Sequence, residues 1–205
     1  MNPKWLTWAQ KMQSIAQAGI EYSQDDYDIE RFEQLSEIAV EILHEYTELD
    51  SEKIQDLFAN EEGYRTPKID VRAIVPNRDR ILLVQEKLDG KWALPGGWAE
   101  IDLSLKENVE KEVFEEAGIT TDAREVVAIL DRSKQISDPY PYSVYKIFVL
   151  CKGIDGEFRA NVETTTASFF KESEIPELSE TRNTIEQIEM CFIYLQSDNR
   201  LAVFD

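Results

Sequence analysis

Between Leu94 and Ile119 the chain reads LPGGWAEIDLSLKENVEKEVFEEAGI, and this stretch limits the possible folds more than any other. Pro95-Gly96-Gly97 opens a loop, since paired glycines accept close backbone approaches that a side chain forbids. Ser104 with Glu107 three residues later forms a capping box, which predicts a helix start. Gly118 predicts its left-handed end. Leu105, Val109, Val113 and Ala117 make an apolar stripe. At about 100° per residue, Glu112, Glu115 and Glu116 fall within one arc beside it, Glu116 towards the buried side.

Carboxylates at i, i+3 and i+4 repel one another, and partial burial makes their ionisation costlier still. A divalent cation removes both penalties, and Mg²⁺ or Mn²⁺ suits all-oxygen ligands better than zinc does. The competing reading is a solvated acidic face, which is how we read Glu107, Glu110 and Lys111. For the trio, the glycine loop and the caps favour metal binding.

These residues resemble the box of the Nudix hydrolases, G-x5-E-x7-REUxEExGU, where U is a bulky aliphatic. Gly97 stands at the box glycine, and KEVFEEAGI from Lys111 to Ile119 stands at REUxEExGU. Leu103 occupies the place of the first glutamate, and Lys111 replaces the arginine. The resemblance implies hydrolysis of a nucleoside diphosphate linked to another group by water attack on phosphorus. It implies metals on Glu112, Glu115 and Glu116, with the Gly97 carbonyl as a further ligand. A helix glutamate or an acid on a later loop would deprotonate the water. Glu163 is the candidate outside carboxylate, and an exposed loop acid is its competing reading. Leu103 cannot bind metal, whereas Glu100 and Asp102 lie close enough to substitute. We expect altered metal number or position with activity retained. Lys111 keeps a charge for Glu115 at i+4 without the forked geometry of arginine.

With 205 residues the chain holds one ordinary domain and a small one. Acidic residues number 41 and basic ones 22, a net charge of −19, which argues against a general nucleic-acid binder. Any phosphate substrate must then be received locally, by metal and a few basic side chains. Cys151 and Cys191 form no CxxC pair and are expected as free thiols. The absence of a membrane-length apolar run and of a signal pattern makes cytoplasm the expected location. His44 is the single histidine and is given no role, which disfavours zinc and Ser-His-Asp chemistry.

Residues 1–62 are expected as a helical domain, 63–67 as a linker and 68–205 as the hydrolase domain. Trp5, Trp8, Met12 and Ile15 recur at helical spacing, and Gly19 is expected to close that helix. A second helix begins in the acidic run from Asp25, and a short third follows Asp50 or Ser51. Ile69, Val71, Ala73 and Val75 suit a strand, with Ile81–Val84 expected as its hairpin partner. Further strands are expected over Glu125–Leu130, Ser143–Cys151 and Ala167–Phe170, and a last helix from about Thr181. The interleaving suggests an α/β fold, an α/β/α sandwich with a mixed sheet, and the resemblance agrees. The helical part resembles the small domain that precedes the Nudix domain in a bacterial branch similar to ADP-ribose and CDP-choline pyrophosphatases. Its uncovered apolar stripes suggest a homodimer.

Arg72 on the first strand is a candidate phosphate contact, with an ion pair as the competing view. Trp92, Trp98 and Tyr140 or Tyr142 are candidates for stacking on a base, and equally for packing. ADP-ribose and CDP-choline are both reasonable substrates. A non-catalytic nucleotide sensor and an RNA-processing hydrolase are the alternative functions. Leu103 supports the first, and the net charge of −19 disfavours the second.

Overall fold

The computed structural model of the protein describes residues 3–47, 54, 66–136, 140–159 and 161–205. Its contacts divide the chain into two compact units. One comprises Met1–Pro67 with Ser137–Ser143, the other Lys68–Ile136 with Val144–Asp205.

In the first unit, helix α1 spans Lys4–Tyr22 and α2 spans Asp26–Tyr46. Asp25 caps α2, its carboxylate accepting from the amides of Tyr27 and Asp28 at 2.9 and 3.1 Å. Leu6, Ala9, Ala39, Val40, Leu43 and Ile54 form the shared core. Gly19 does not close α1, which runs on to Tyr22. A Cβ at Gly19 would fall 2.3 Å from the Phe32 ring, so the glycine serves close helix packing rather than a cap. Gln10 Nε2 donates to the carbonyls of Tyr140 and Pro141 at 3.2 and 3.1 Å, which fastens these two residues to α1. The expected third helix lies outside the described residues apart from Ile54, and so does most of the expected linker.

The second unit holds strands β1 (Lys68–Ile74), β2 (Pro76–Asn77), β3 (Arg80–Glu86) and β4 (Trp92–Ala93). Helix α3 (Leu105–Ala117), strand β5 (Ile119–Asp131) and the short α4 (Arg132–Gln135) follow. Strands β6 (Val144–Gly156) and β7 (Thr164–Lys171), helix α5 (Ile185–Gln196) and strand β8 (Val203–Phe204) complete it. One sheet has the order β1-β6-β5-β8 and is mixed, β1 parallel and β5 antiparallel to β6. In the other, β3 pairs antiparallel with β2, β4 and β7.

Alternation along the central strands divides the core in two. Leu82 and Val84 of β3 join Val149 and Cys151 of β6 against Val109, Val113 and Ala117 of α3. Ile81 and Leu83 join Phe148 and Leu150 against Ile188, Cys191 and Phe192 of α5. Strands covered on both faces carry continuous apolar runs, which is why ILLV and IFVLC read as they do. The result is the expected α/β/α sandwich.

The expected hairpin forms only at its tip, where β2 pairs with β3 and the Leu82 amide donates to the Val75 carbonyl at 3.0 Å, while β1 itself lies in the other sheet. Parallel β6 takes one edge of β1, and the segment after Leu94 runs along the other. The last helix starts at Ile185, where Thr184 and Gln187 form a capping box. Among the described residues no helix is long and apolar enough to cross a membrane.

Candidate active site

Helix α3 forms as its sequence directs. Ser104 and Glu107 close the capping box, and Gly118 ends the helix at φ 71°. Behind Ser104, buried Asn108 fastens the incoming loop. Its Nδ2 donates to the carbonyls of Glu100, Leu103 and Ser104, and its Oδ1 accepts from the Glu100 amide at 2.7 Å. The motif leaves this position free, so the sequence offered no sign of that role.

The glycine loop lies along β1 as a short extra strand. Ala73 and Val71 donate their amides to the carbonyls of Pro95 and Gly97, each at 2.8 Å. Gly96 has φ 144°, and a Cβ there would sit 2.0 Å from the Val71 carbonyl oxygen. Only glycine fits. Its amide then donates to Glu116 Oε2 at 2.8 Å. Gly97 faces Glu112, whose carboxylate oxygens would lie 3.2 Å from an added Cβ.

Two of the three box glutamates are held inward. Glu116 is 2% exposed, and its Oε1 is buried with no hydrogen-bond partner. Burial pushes its carboxyl up to about 8, opposed by Arg72 and the Gly96 amide. Glu112 is partly buried and is pushed up to about 7, chiefly by burial, with Glu163 and Glu115 adding to the rise. Glu163 itself is exposed. Its amide donates to Asn161 Oδ1 at 2.9 Å, and its carbonyl accepts from the Lys87 amide at 2.8 Å. Glu115 is exposed and paired with Lys111, whose Nζ lies 2.5 Å from its carboxylate and 3.2 Å from that of Glu100. Glu100 is thus engaged with Lys111, where the sequence suggested a substitute metal ligand.

As the side chains stand, no three acidic, histidine or cysteine groups among the described residues converge on one ion. The chemistry still fits a hard divalent cation. Two desolvated carboxylates hold protons near neutral pH, and one of their oxygens is buried without a partner.

Arg72 is not placed as the expected phosphate contact. It is 3% exposed, with Nε and Nη2 donating to Asp70 at 2.7 and 3.2 Å and Nη1 to the Leu94 carbonyl at 3.2 Å. Its charge lies in the field of Glu116 and Glu86. Lys146, also fully buried, donates to Asp70 Oδ2 at 2.9 Å. Burial works against ionised Asp70, but Arg72 and Lys146 outweigh it and hold the carboxyl below its usual range. Trp98 is half-exposed directly after the glycine pair, its backbone bridged to Asp70. Trp92 packs edge-on against Phe170 in the core, centroids 4.8 Å apart. Tyr140 stands edge-on to Tyr142 at 5.5 Å and groups with the helical unit.

Comparison with known proteins finds relatives of both parts of the chain. Residues 66–190 match the family described as the NUDIX domain, and residues 3–58 match one described as UDP-X-like, N-terminal oligomerisation domain. A Bacillus subtilis (strain 168) protein, YjhB, provisionally named an ADP-ribose pyrophosphatase, is 46% identical over 205 residues, covering 100% of this chain and 99% of its own. The crystal structure of a UDP-X diphosphatase is 32% identical with a TM-score of 0.64, covering 98% of each chain. That of an ADP-ribose pyrophosphatase from Streptococcus suis 89-1591 is 46% identical with a TM-score of 0.63, covering 68% of this chain and all of its own (100%).

Proposed function

The chain belongs to the Nudix hydrolase family, and on that premise we propose that it cleaves the diphosphate of a nucleoside diphosphate linked to a sugar or alcohol, ADP-ribose first among them. The products are a nucleoside monophosphate and a phosphorylated remainder. One observation carries this reading: Glu112 and Glu116 are set under a glycine loop that donates an amide to Glu116 and leaves its other oxygen unbonded. The names of the Bacillus and Streptococcus relatives support ADP-ribose, and that of the UDP-X diphosphatase supports the wider substrate class.

Glu112, Glu115 and Glu116 would hold Mg²⁺ or Mn²⁺, with the Gly97 carbonyl as a backbone ligand. Such an ion, when bound, screens the diphosphate charge and lowers the pKa of a coordinated water. The chain's own part is orientation and proton transfer. The loop fixes Glu116 through the Gly96 amide, and the charge of Arg72 offsets its own. Glu163, in the electrostatic range of Glu112, takes the proton of the attacking water. Trp98 offers a half-exposed indole to stack on the base.

Leu103 and the pairing of Glu115 with Lys111 favour, as a second reading, a domain that binds a nucleotide without cleaving it. A panel of nucleoside diphosphate derivatives with Mg²⁺ or Mn²⁺, scored for products, separates the two. Metal-dependent release of AMP or another monophosphate is the expected result, and binding without release would sink the enzymatic reading.

We read residues 1–62 as the helical domain, 63–67 as the linker and 68–205 as the hydrolase domain, supported by the two family matches. Trp8, Ile15 and Tyr22 stand exposed at seven-residue spacing along α1, which supports a homodimer formed through this domain. Cys151 and Cys191 are free and buried, in keeping with a reducing compartment such as the cytoplasm.

A further inference from the structure

The site described so far has abundant negative charge and little positive charge to receive a diphosphate. Glu86, Glu112, Glu116 and Glu163 influence one another electrostatically. Among the nearby cations, Arg72 is buried with its fork occupied by Asp70 and Leu94. Lys111 is held between Glu115 and Glu100. Lys87 donates its Nζ to the Asn161 carbonyl.

Arg182 differs from all three. It lies in the turn before α5, and that turn is clamped to the glycine loop. Buried Asn183 accepts the Leu94 amide at 2.9 Å, and the Ser179 amide donates to the Trp92 carbonyl at 2.9 Å. The Arg182 carbonyl accepts from buried Lys146. On the other side Arg182 Nε lies 3.0 Å from Glu86 Oε1. That contact is an ion pair without hydrogen-bond alignment, since Oε1 of this fully buried carboxylate has no hydrogen-bond partner. The Arg182 side chain is partly exposed, and no group among the described residues bonds its terminal nitrogens. Glu86 therefore holds the guanidinium by charge alone, and its terminal nitrogens carry no hydrogen bond to the described residues. The charge of Glu86 acts on Glu116, and that of Arg182 acts on Glu86.

We infer that Arg182, anchored by the buried carboxylate of Glu86 and carried on a turn clamped to the glycine loop, receives a phosphate group of the diphosphate substrate. Arginine suits this task because its planar fork bonds two phosphate oxygens at once. Glu86 is a positioning residue that acts through Arg182. The inference rests on the hydrolase reading for the identity of the substrate, but not for the chemistry of the anion.

The test uses the full chain and two measurements. The first is calorimetric binding of methylenediphosphonate, whose P–C–P bridge resists hydrolysis, in the presence of Mg²⁺. The second is steady-state turnover of the substrate that the panel identifies. Arg182→Gln is expected to weaken diphosphonate binding about tenfold or more, as loss of a charge-assisted bond does. It is expected to raise KM by a similar factor with kcat changed less than about threefold. Arg182→Lys, which keeps the charge, recovers part of both and guards against a folding defect in the first variant. Glu86→Gln weakens binding less, and in the double variant adds nothing to Arg182→Gln. Equal diphosphonate affinity in wild type and Arg182→Gln overturns the inference, as does a wild type that binds none. A wild type that binds the diphosphonate through Arg182 but turns over no nucleotide overturns the hydrolase reading alone.

Discussion

The Gly96 amide donates to Glu116 Oε2 at 2.8 Å, so loop and helix meet through a backbone group beside a buried carboxylate. Gly96 keeps that position only because it has no side chain. At φ 144°, a Cβ would lie 2.0 Å from the Val71 carbonyl oxygen. Gly96→Ala is expected to cost at least about 3 kcal/mol, combining strain with a backbone clash. Denaturant unfolding of the metal-free protein measures it, and a loss under about 1 kcal/mol would show that the loop adapts.

Removing the charge of Glu116 should separate stability from activity. Glu116→Gln is expected to lower kcat by roughly two orders of magnitude, about 3 kcal/mol of barrier. The same change relieves a desolvated carboxylate, so the metal-free variant should melt higher than wild type at pH 8. Wild-type-like turnover in Glu116→Gln would contradict the assigned role.

The raised carboxyls also set a pH dependence. Glu116 and Glu112 rise from 4.5 to about 8 and about 7 in the folded chain. Below pH 4.5, their ordinary value, folded and unfolded chains both hold these protons, and the stabilising effect is fully present. Between there and about 8 the unfolded chain has released protons that the folded chain keeps, so stability declines as pH rises. Melting of the metal-free protein is expected to fall across that window, more steeply than in Glu112→Gln/Glu116→Gln. Added Mg²⁺ or Mn²⁺ should restore it at the alkaline end. Parallel curves for wild type and double variant would refute this.

The interior ion cluster predicts an asymmetry. Lys146 is fully buried and paired to Asp70, and burial together with Arg72 lowers its pKa to about 8. Lys146→Met leaves Asp70 with Arg72 and is expected to cost less than about 2 kcal/mol. Asp70→Asn leaves two buried cations without their shared anion and is expected to cost about 3 to 5 kcal/mol. Chemical denaturation of both variants decides, and equal losses would mean that the cluster does not act through Asp70.

For the helical unit, Trp8 and Ile15 are 60% and 57% exposed on α1. If this face joins two copies, Trp8→Glu with Ile15→Glu should give a monomer by sedimentation, with each unit still folded. An unchanged mass would place the contact elsewhere.

Much of the box was legible because its signals are local. Ser104, Glu107 and Gly118 announce their own helix, and the spacing of Val109, Val113 and Ala117 fixes which face is buried. That geometry alone carries Glu116 inward. What escaped depends on partners distant in sequence. Arg72 reads as a projecting cation until Asp70 two residues earlier and Lys146 on β6 are seen to enclose it. Gly19 reads as a helix terminator until Phe32 of α2 is seen to need its space. β1 and β3 read as a hairpin because they are neighbours in sequence, but β6, seventy residues later, supplies the partner. Asn108 and Arg182 carry no motif, and only the assembled loop gives them meaning.

The segment from Pro95 to Ala99 lies beside β1 with its carbonyls bonded to the amides of Val71 and Ala73, and the Ala99 amide to the carbonyl of Ile69. It therefore guards a border that would otherwise offer bare backbone to any passing strand. A lesion in this loop should first reveal itself as insoluble protein after cell lysis, before any assay of turnover is made.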